Sequence, residues 1–182
     1  MKNAKNNNAG TVLPEKRWSH TEALKIASAL LEELRPYCVK AEIAGSIRRK
    51  CKDSGDIELV IQPKEYSVGL FSTGIASVIN KYQKIKGELP CKYTCRLLPE
   101  GIKVDIFICE PGNFGLNFAV RSGDSSFSHE ILAKGWVRNG YHSKDAYLWR
   151  DGQRYECPEE IDLFKRAGVK WVHPEQRNLN SK

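Results

Sequence analysis

The most informative run in the chain is Gly45-Ser46-Ile47-Arg48-Arg49-Lys50-Cys51-Lys52-Asp53-Ser54-Gly55-Asp56-Ile57-Glu58-Leu59-Val60-Ile61. Just before it, Val39, Ala41 and Ile43 alternate with Lys40 and Glu42 as a strand would, and the alternation stops at Gly45-Ser46. At its end, Ile57, Leu59 and Ile61 form a second alternating strand with Asp56 and Glu58 on the opposite face. The pattern is strand, tight turn, short helix, strand. A glycine and a serine at a strand end present backbone N–H groups and a hydroxyl to a phosphate, and Arg49 adds a fork of charged donors. Asp56 and Glu58 stand at i and i+2, so two carboxylates point the same way and need a counterion.

Lys103-Val104-Asp105-Ile106-Phe107-Ile108 supplies a third carboxylate, because Val104, Ile106 and Ile108 take the core face and turn Asp105 to the other side. If this strand neighbours the first, Asp56, Glu58 and Asp105 meet. Hard oxygen ligands of this kind favour two Mg²⁺ ions, for which Mn²⁺ can substitute, and a pair of such ions about 3.5–4 Å apart suits phosphoryl transfer. Acids alternating on a strand are otherwise its solvated face. Arg48 and Lys50 are read as charges facing solvent or DNA.

Around this centre the sequence divides into a basic tail over residues 1–17, a first domain over 18–110 and a second over 111–182. The tail is rich in Asn and Lys with little to bury, a composition that suits disorder. Ser19 and Glu22 read as a capping box ahead of Leu24, Ala27, Leu31 and Leu34, with Pro36 as the stop. A looser helix is expected from Ser67 to Tyr82. Strands near Tyr93 to Leu98 and Lys103 to Cys109 flank the turn residues Pro99-Glu100-Gly101. Pro111-Gly112 marks the boundary, followed by a helical region ending near Gly135. Asp151-Gly152 signals a hairpin, and Pro158 to Gly168 bounds a short helix. The fold class expected is α/β in the α+β sense, a mixed sheet with few helices and a small α+β second domain.

With 29 Lys and Arg against 22 Asp and Glu, the formal charge of +7 favours polyanionic partners. No apolar run reaches the length of a membrane span and no signal-peptide core stands at Met1 to Gly10, so a cytoplasmic location, or the interior of a host cell, is expected. The six cysteines (Cys38, Cys51, Cys91, Cys95, Cys109 and Cys157) lack the paired spacing of a zinc site and are read as free thiols. A Cys91–Cys95 bridge stays open.

The Gly-Ser-x-Arg-Arg to Gly-Asp-Ile-Glu string resembles the signature of the X family of DNA polymerases, the polymerase-beta-like enzymes. That resemblance implies a nucleotidyltransferase palm over 18–110 and a thumb-like domain over 111–182. It implies that Gly45, Ser46 and Arg49, with Gly55 in the same string, bind the incoming deoxynucleoside triphosphate. By the same likeness Asp56 and Glu58 hold both metals, and Asp105 binds the catalytic metal and helps deprotonate the primer 3′-hydroxyl. Ser122-Gly123 lies where the family has a Thr-Gly turn beside the sugar, and Phe127-Ser128 near its contact to the base. Trp171-Val172-His173-Pro174-Glu175-Gln176-Arg177 is similar to the family's terminal pattern.

The implied activity is DNA-directed DNA synthesis on gapped or primed DNA, by short-gap filling in DNA repair, from a monomer. Lys103, Arg121, Lys134, Arg138 and Arg177 are the candidate DNA contacts. Glu58 stands where aspartate is commoner, and Ala119, Val120 and Arg121 replace the usual Tyr-Phe pair. The chain resembles reduced viral members built of palm and thumb, without the family's lyase domain. Two other functions fit the same residues: template-independent nucleotidyl transfer, and a nucleic-acid-binding module without catalysis.

Overall fold

The computed structural model of the chain describes residues 16–64 and 74–179. Nearly all of the tail expected over 1–17, and the first part of the helix expected from Ser67, lie outside the described residues. A short strand, β1 (Trp18–Ser19), leads into α1 (His20–Leu34). Ser19 caps that helix as a capping box: its hydroxyl accepts from the Glu22 N–H, and the Glu22 carboxylate accepts from the Ser19 N–H at 3.0 Å. A cap of this kind contributes about 1 kcal/mol. The buried face runs through Ala23, Ala27, Leu30, Leu31 and Leu34. Leu24, expected on that face, is 39% exposed, because the buried stripe runs at helical spacing through Ala23, Ala27, Leu30 and Leu34 and leaves Leu24 at its edge.

The chain continues through β2 (Cys38–Ile43), α2 (Gly45–Arg48), β3 (Asp53–Ser54), β4 (Asp56–Pro63), α3 (Ile75–Ile79), β5 (Gln83–Lys86), β6 (Tyr93–Leu97) and β7 (Lys103–Ile108). Five of these strands form a mixed sheet in the order β2-β4-β7-β6-β5, and β1 pairs with β3. Only the β4–β7 contact is parallel; the other pairings in the sheet are antiparallel. Gly101, at φ 88°, closes the β6–β7 turn. A register shift between Cys38 and Lys40 interrupts the alternation expected for β2, so Val39 is exposed while Ala41 stays buried.

The sheet is covered on both faces. Ile57, Leu59, Ile61, Val104, Ile106 and Ile108 pack with α1 and with Val78 and Ile79 of α3 in the main core. Each fully buried aliphatic side chain of that set contributes roughly 1.5–3 kcal/mol. On the other face, Val60 and Phe107 meet Ala44, Cys109 and Phe114 in a smaller cluster. That cluster covers one end of the face and leaves the other to Asp56, Glu58 and Asp105.

Beyond Pro111 come α4 (Phe114–Ser122), a π-helical segment (Phe127–Ala133), α5 (Lys134–Arg138), β8 (His142–Lys144), β9 (Tyr147–Arg150), β10 (Gln153–Tyr155) and α6 (Glu160–Ala167). Their shared core includes Leu116, Leu132, Trp136, Leu148 and Phe164, and none of its residues belongs to the main core. The helical region expected to end near Gly135 runs on to Arg138. Asp151 and Gly152, at φ 52° and 75°, form the β9–β10 hairpin turn. Gly168, at φ 69°, ends α6 in the left-handed conformation. Among the described residues no helix is long and apolar enough to cross a membrane.

Candidate active site

The parallel β4–β7 ladder places Glu58 opposite Asp105 and Val60 opposite Phe107. Side chains at i and i+2 share a face, so Asp56, Glu58 and Asp105 form one patch at the open end of the sheet, continuous with Val60 and Phe107. Asp56 is exposed; Glu58 and Asp105 are half-buried. Burial first, then the charge of Asp56 and that of Asp105, push the Glu58 carboxyl up to about 7, against the pull of Arg121 and Arg49. The Tyr93 hydroxyl donates to Asp105 Oδ1 at 2.8 Å and fixes that carboxylate.

Among the described residues no three His, Cys, Asp or Glu side chains close into a metal cage. The parallel ladder nonetheless sets the three carboxylates on one face. The donor set fits hard divalent cations: three carboxylates, all oxygen ligands, on one face of two adjacent strands.

Gly45 adopts φ +63°, and a Cβ there would collide with the Glu58 carboxylate. Glycine thus lets the turn lie directly against one of the acids. Ser46 Oγ donates to Ser54 Oγ at 2.7 Å, which joins α2 to β3. Gly55 begins the turn into β4, with Arg17 Nη1 3.5 Å from its ideal Cβ position. Arg49, at the C-terminal end of α2, gives its Nε–H to Asn178 Oδ1 at 2.7 Å and an Nη1–H to the Ser122 carbonyl at 3.2 Å.

Arg48 corrects an expectation. It faces neither solvent nor an open DNA surface: its guanidinium lies 3.6 Å over the Phe118 ring and donates to both oxygens of Glu160, at 2.6 and 3.2 Å, and to Ser122 Oγ. Glu160 also accepts from Arg177 at 2.6 and 3.1 Å and from the Trp171 indole at 2.8 Å. Burial opposes ionisation of Glu160, but the hydrogen bonds from Arg177 and Arg48 outweigh it and hold the group down at about 2.

Several thumb expectations change in the same way. Arg177, expected at DNA, is 0% exposed and committed to Glu160 and the Val172 carbonyl. Ser122, expected beside the sugar, is fully buried, and its hydroxyl donates to the Phe118 carbonyl at 2.6 Å. Gly123 is needed for packing: a Cβ would stand 2.7 Å from Phe127 Cδ1 and from Ser128 Oγ. Ser128 spends its hydroxyl on the Val120 carbonyl at 2.6 Å. Lys103, Arg121, Lys134 and Arg138 are all exposed. Lys134 pairs with Glu130, and Lys103 stands opposite Asp56 in the ladder. Arg121 lies 4.0 Å over the Phe107 ring, which places it on the carboxylate face.

Sequence reasoning missed Glu160, Asn178 and the role of Arg121 as a counter-charge. Nothing local marks Glu160, which reads as a first-turn helix acid. Asn178 carries no motif at all. The position of Arg121, one residue before Ser122-Gly123, was the usable signal. All six cysteines are free, Cys91 and Cys95 included. No family model matches the chain, and no curated protein matches it.

Proposed function

We propose that the chain is a metal-dependent nucleotidyltransferase that extends a primer 3′-hydroxyl on DNA, in the manner of the X-family polymerases its motifs resemble. The observation that carries this reading is the in-register pairing of Glu58 with Asp105, with Asp56 two residues away on the same face and Gly45 pressed against Glu58. Magnesium-class ions held by these three residues would supply charge neutralisation for phosphates and activation of an attacking hydroxyl. Asp56, Glu58 and Asp105 would be the ligands. The chain's own part is positional: Asp105 is fixed by Tyr93, and Arg49 stands close enough for its charge to act on Glu58.

The turn around Gly45 and Ser46 and the guanidinium of Arg49 supply donors for a triphosphate on the same side as the carboxylates. Lys103, Arg121, Lys134 and Arg138 are exposed cations and would be the candidate contacts to a DNA backbone. A primer-extension assay tests the proposal. Magnesium-dependent addition to a gapped duplex, faster for the complementary deoxynucleotide than for mismatched or ribonucleotides, is the expected result. Equal rates for all four nucleotides would make the enzyme a template-independent transferase. No addition with Mg²⁺ or Mn²⁺ would leave a binding module.

A further inference from the structure

Three arginines meet where α2 faces the second core, and they are held in two different ways. Arg48 and Arg177 spend their charge on the Glu160 carboxylate. Arg49, among the described residues, donates only to neutral oxygens: the Asn178 side-chain amide at 2.7 Å and the Ser122 carbonyl at 3.2 Å. A guanidinium has five N–H donors in a rigid plane. With Nε–H and one Nη1–H engaged, the second Nη1–H and both Nη2–H groups have no acceptor among the described residues, and the full positive charge is retained.

The amide of Asn178 is itself oriented. Its Nδ2 donates to the Glu175 carbonyl at 3.5 Å, and the Glu175 carboxylate pairs with Lys50. The oxygen therefore faces Arg49, and the Cys51 thiol approaches that same oxygen at 3.8 Å. The residues after α6 fold back on the three consecutive positions that follow α2: Glu175 on Lys50 and Asn178 on Arg49 and Cys51.

From this geometry we propose that Asn178 is a positioning residue for phosphate binding, a neutral brace that holds the Arg49 guanidinium in place for the nucleotide without discharging it. The inference rests on the reading that Arg49 binds the triphosphate. A neutral acceptor is essential to it. A carboxylate at the same place would hold Arg49 more firmly and yet cancel the charge that the phosphates need.

The test compares Arg49→Ala, Asn178→Ala and Asn178→Asp in the full chain. The readouts are equilibrium binding of the magnesium complex of deoxyadenosine triphosphate, KM and kcat on gapped DNA, and thermal stability. Arg49→Ala is expected to lose nucleotide affinity by about a hundredfold and Asn178→Ala by about tenfold, with kcat for the latter within about twofold of wild type. Asn178→Asp is expected to separate the two roles: stability equal to or above wild type, through an Arg49–Asp ion pair, with nucleotide affinity below that of Asn178→Ala. A merely structural tether would give the reverse, with affinity preserved in the Asp variant. Unchanged affinity in Arg49→Ala would sink the triphosphate reading and this inference with it. A weakened Arg49→Ala beside Asn178 variants within twofold of wild type would overturn the role of Asn178 alone.

Discussion

Two glutamates, both largely withdrawn from water, are driven in opposite directions. Glu58 sits beside Asp56 and Asp105 and titrates at about 7, whereas Glu160 lies between Arg48 and Arg177 and titrates at about 2. Burial raises both. What differs is the company each keeps: like charges on neighbouring strands for Glu58, and two guanidinium forks with an indole N–H for Glu160. Glu160 is a satisfied group whose bonds join α2 to α6 and the residues after it. Glu58 is raised first by burial and then by its acidic neighbours, and under the proposed function a bound cation would relieve that repulsion.

The contrast breaks most sharply at Asp105. Asp105→Ala should reduce nucleotide addition more than about a thousandfold, since it takes one hard ligand from the proposed metal site. Its melting temperature should stay close to that of wild type, because relief of repulsion at Glu58 offsets the lost Tyr93 hydrogen bond. Activity within tenfold of wild type on primed DNA would remove Asp105 from the site.

Glu160→Gln is the opposite case. It leaves two guanidinium groups facing a neutral amide, with Arg177 0% exposed, and should cost about 3 kcal/mol in chemical denaturation. Loss of nucleotide addition would follow only as far as the fold loosens.

Acidity should reproduce that loss in the wild-type protein. The folded pKa of Glu160 lies below its ordinary value of 4.5, so its contribution is fully present above pH 4.5 and disappears as pH falls toward about 2. The linked stability is roughly 3 kcal/mol. Unfolding curves across that window should shift in wild type, and the shift should shrink in Glu160→Gln.

Glu58 behaves with the reverse sign. Its folded pKa lies above 4.5, so its ionisation weighs against the fold as pH rises from 4.5 through about 7. Asp56→Asn should bring its midpoint down, read from the carboxyl carbon shift in a pH titration. Arg121→Gln should move the same midpoint slightly upward, since the Arg121 charge now lowers it. A fixed midpoint in both variants would mean that burial alone sets the Glu58 pKa.

The legible parts were those in which a few neighbouring residues carry the instruction. Ser19 and Glu22 announce the start of α1, and Asp151-Gly152 announces its hairpin. Alternation around Ile57 and Val104 placed Asp56, Glu58 and Asp105 off the core face. Strand β8 escaped notice because its turn to β9 uses Asp145 and Ala146 at φ 55° and 64°, where no glycine signals positive φ. The bulge in β2 defeated strict alternation at Val39 for a related reason: the extra residue is set by pairing with β4, not by local pattern.

Taken alone, the sequence determined which side chains avoid the core and therefore where the carboxylates and the Gly45 turn would sit. Periodicity is a local property, and it survives in any fold that buries the apolar face. Tertiary structure decided which charges meet. Arg48, Arg49 and Arg177 look alike on the page, but packing α2 against α6 and the residues after it gives two of them a buried carboxylate and the third only neutral oxygens. Coulomb energy depends on distance in space, and Arg48 meets Glu160 across 112 positions of sequence, which no local pattern encodes.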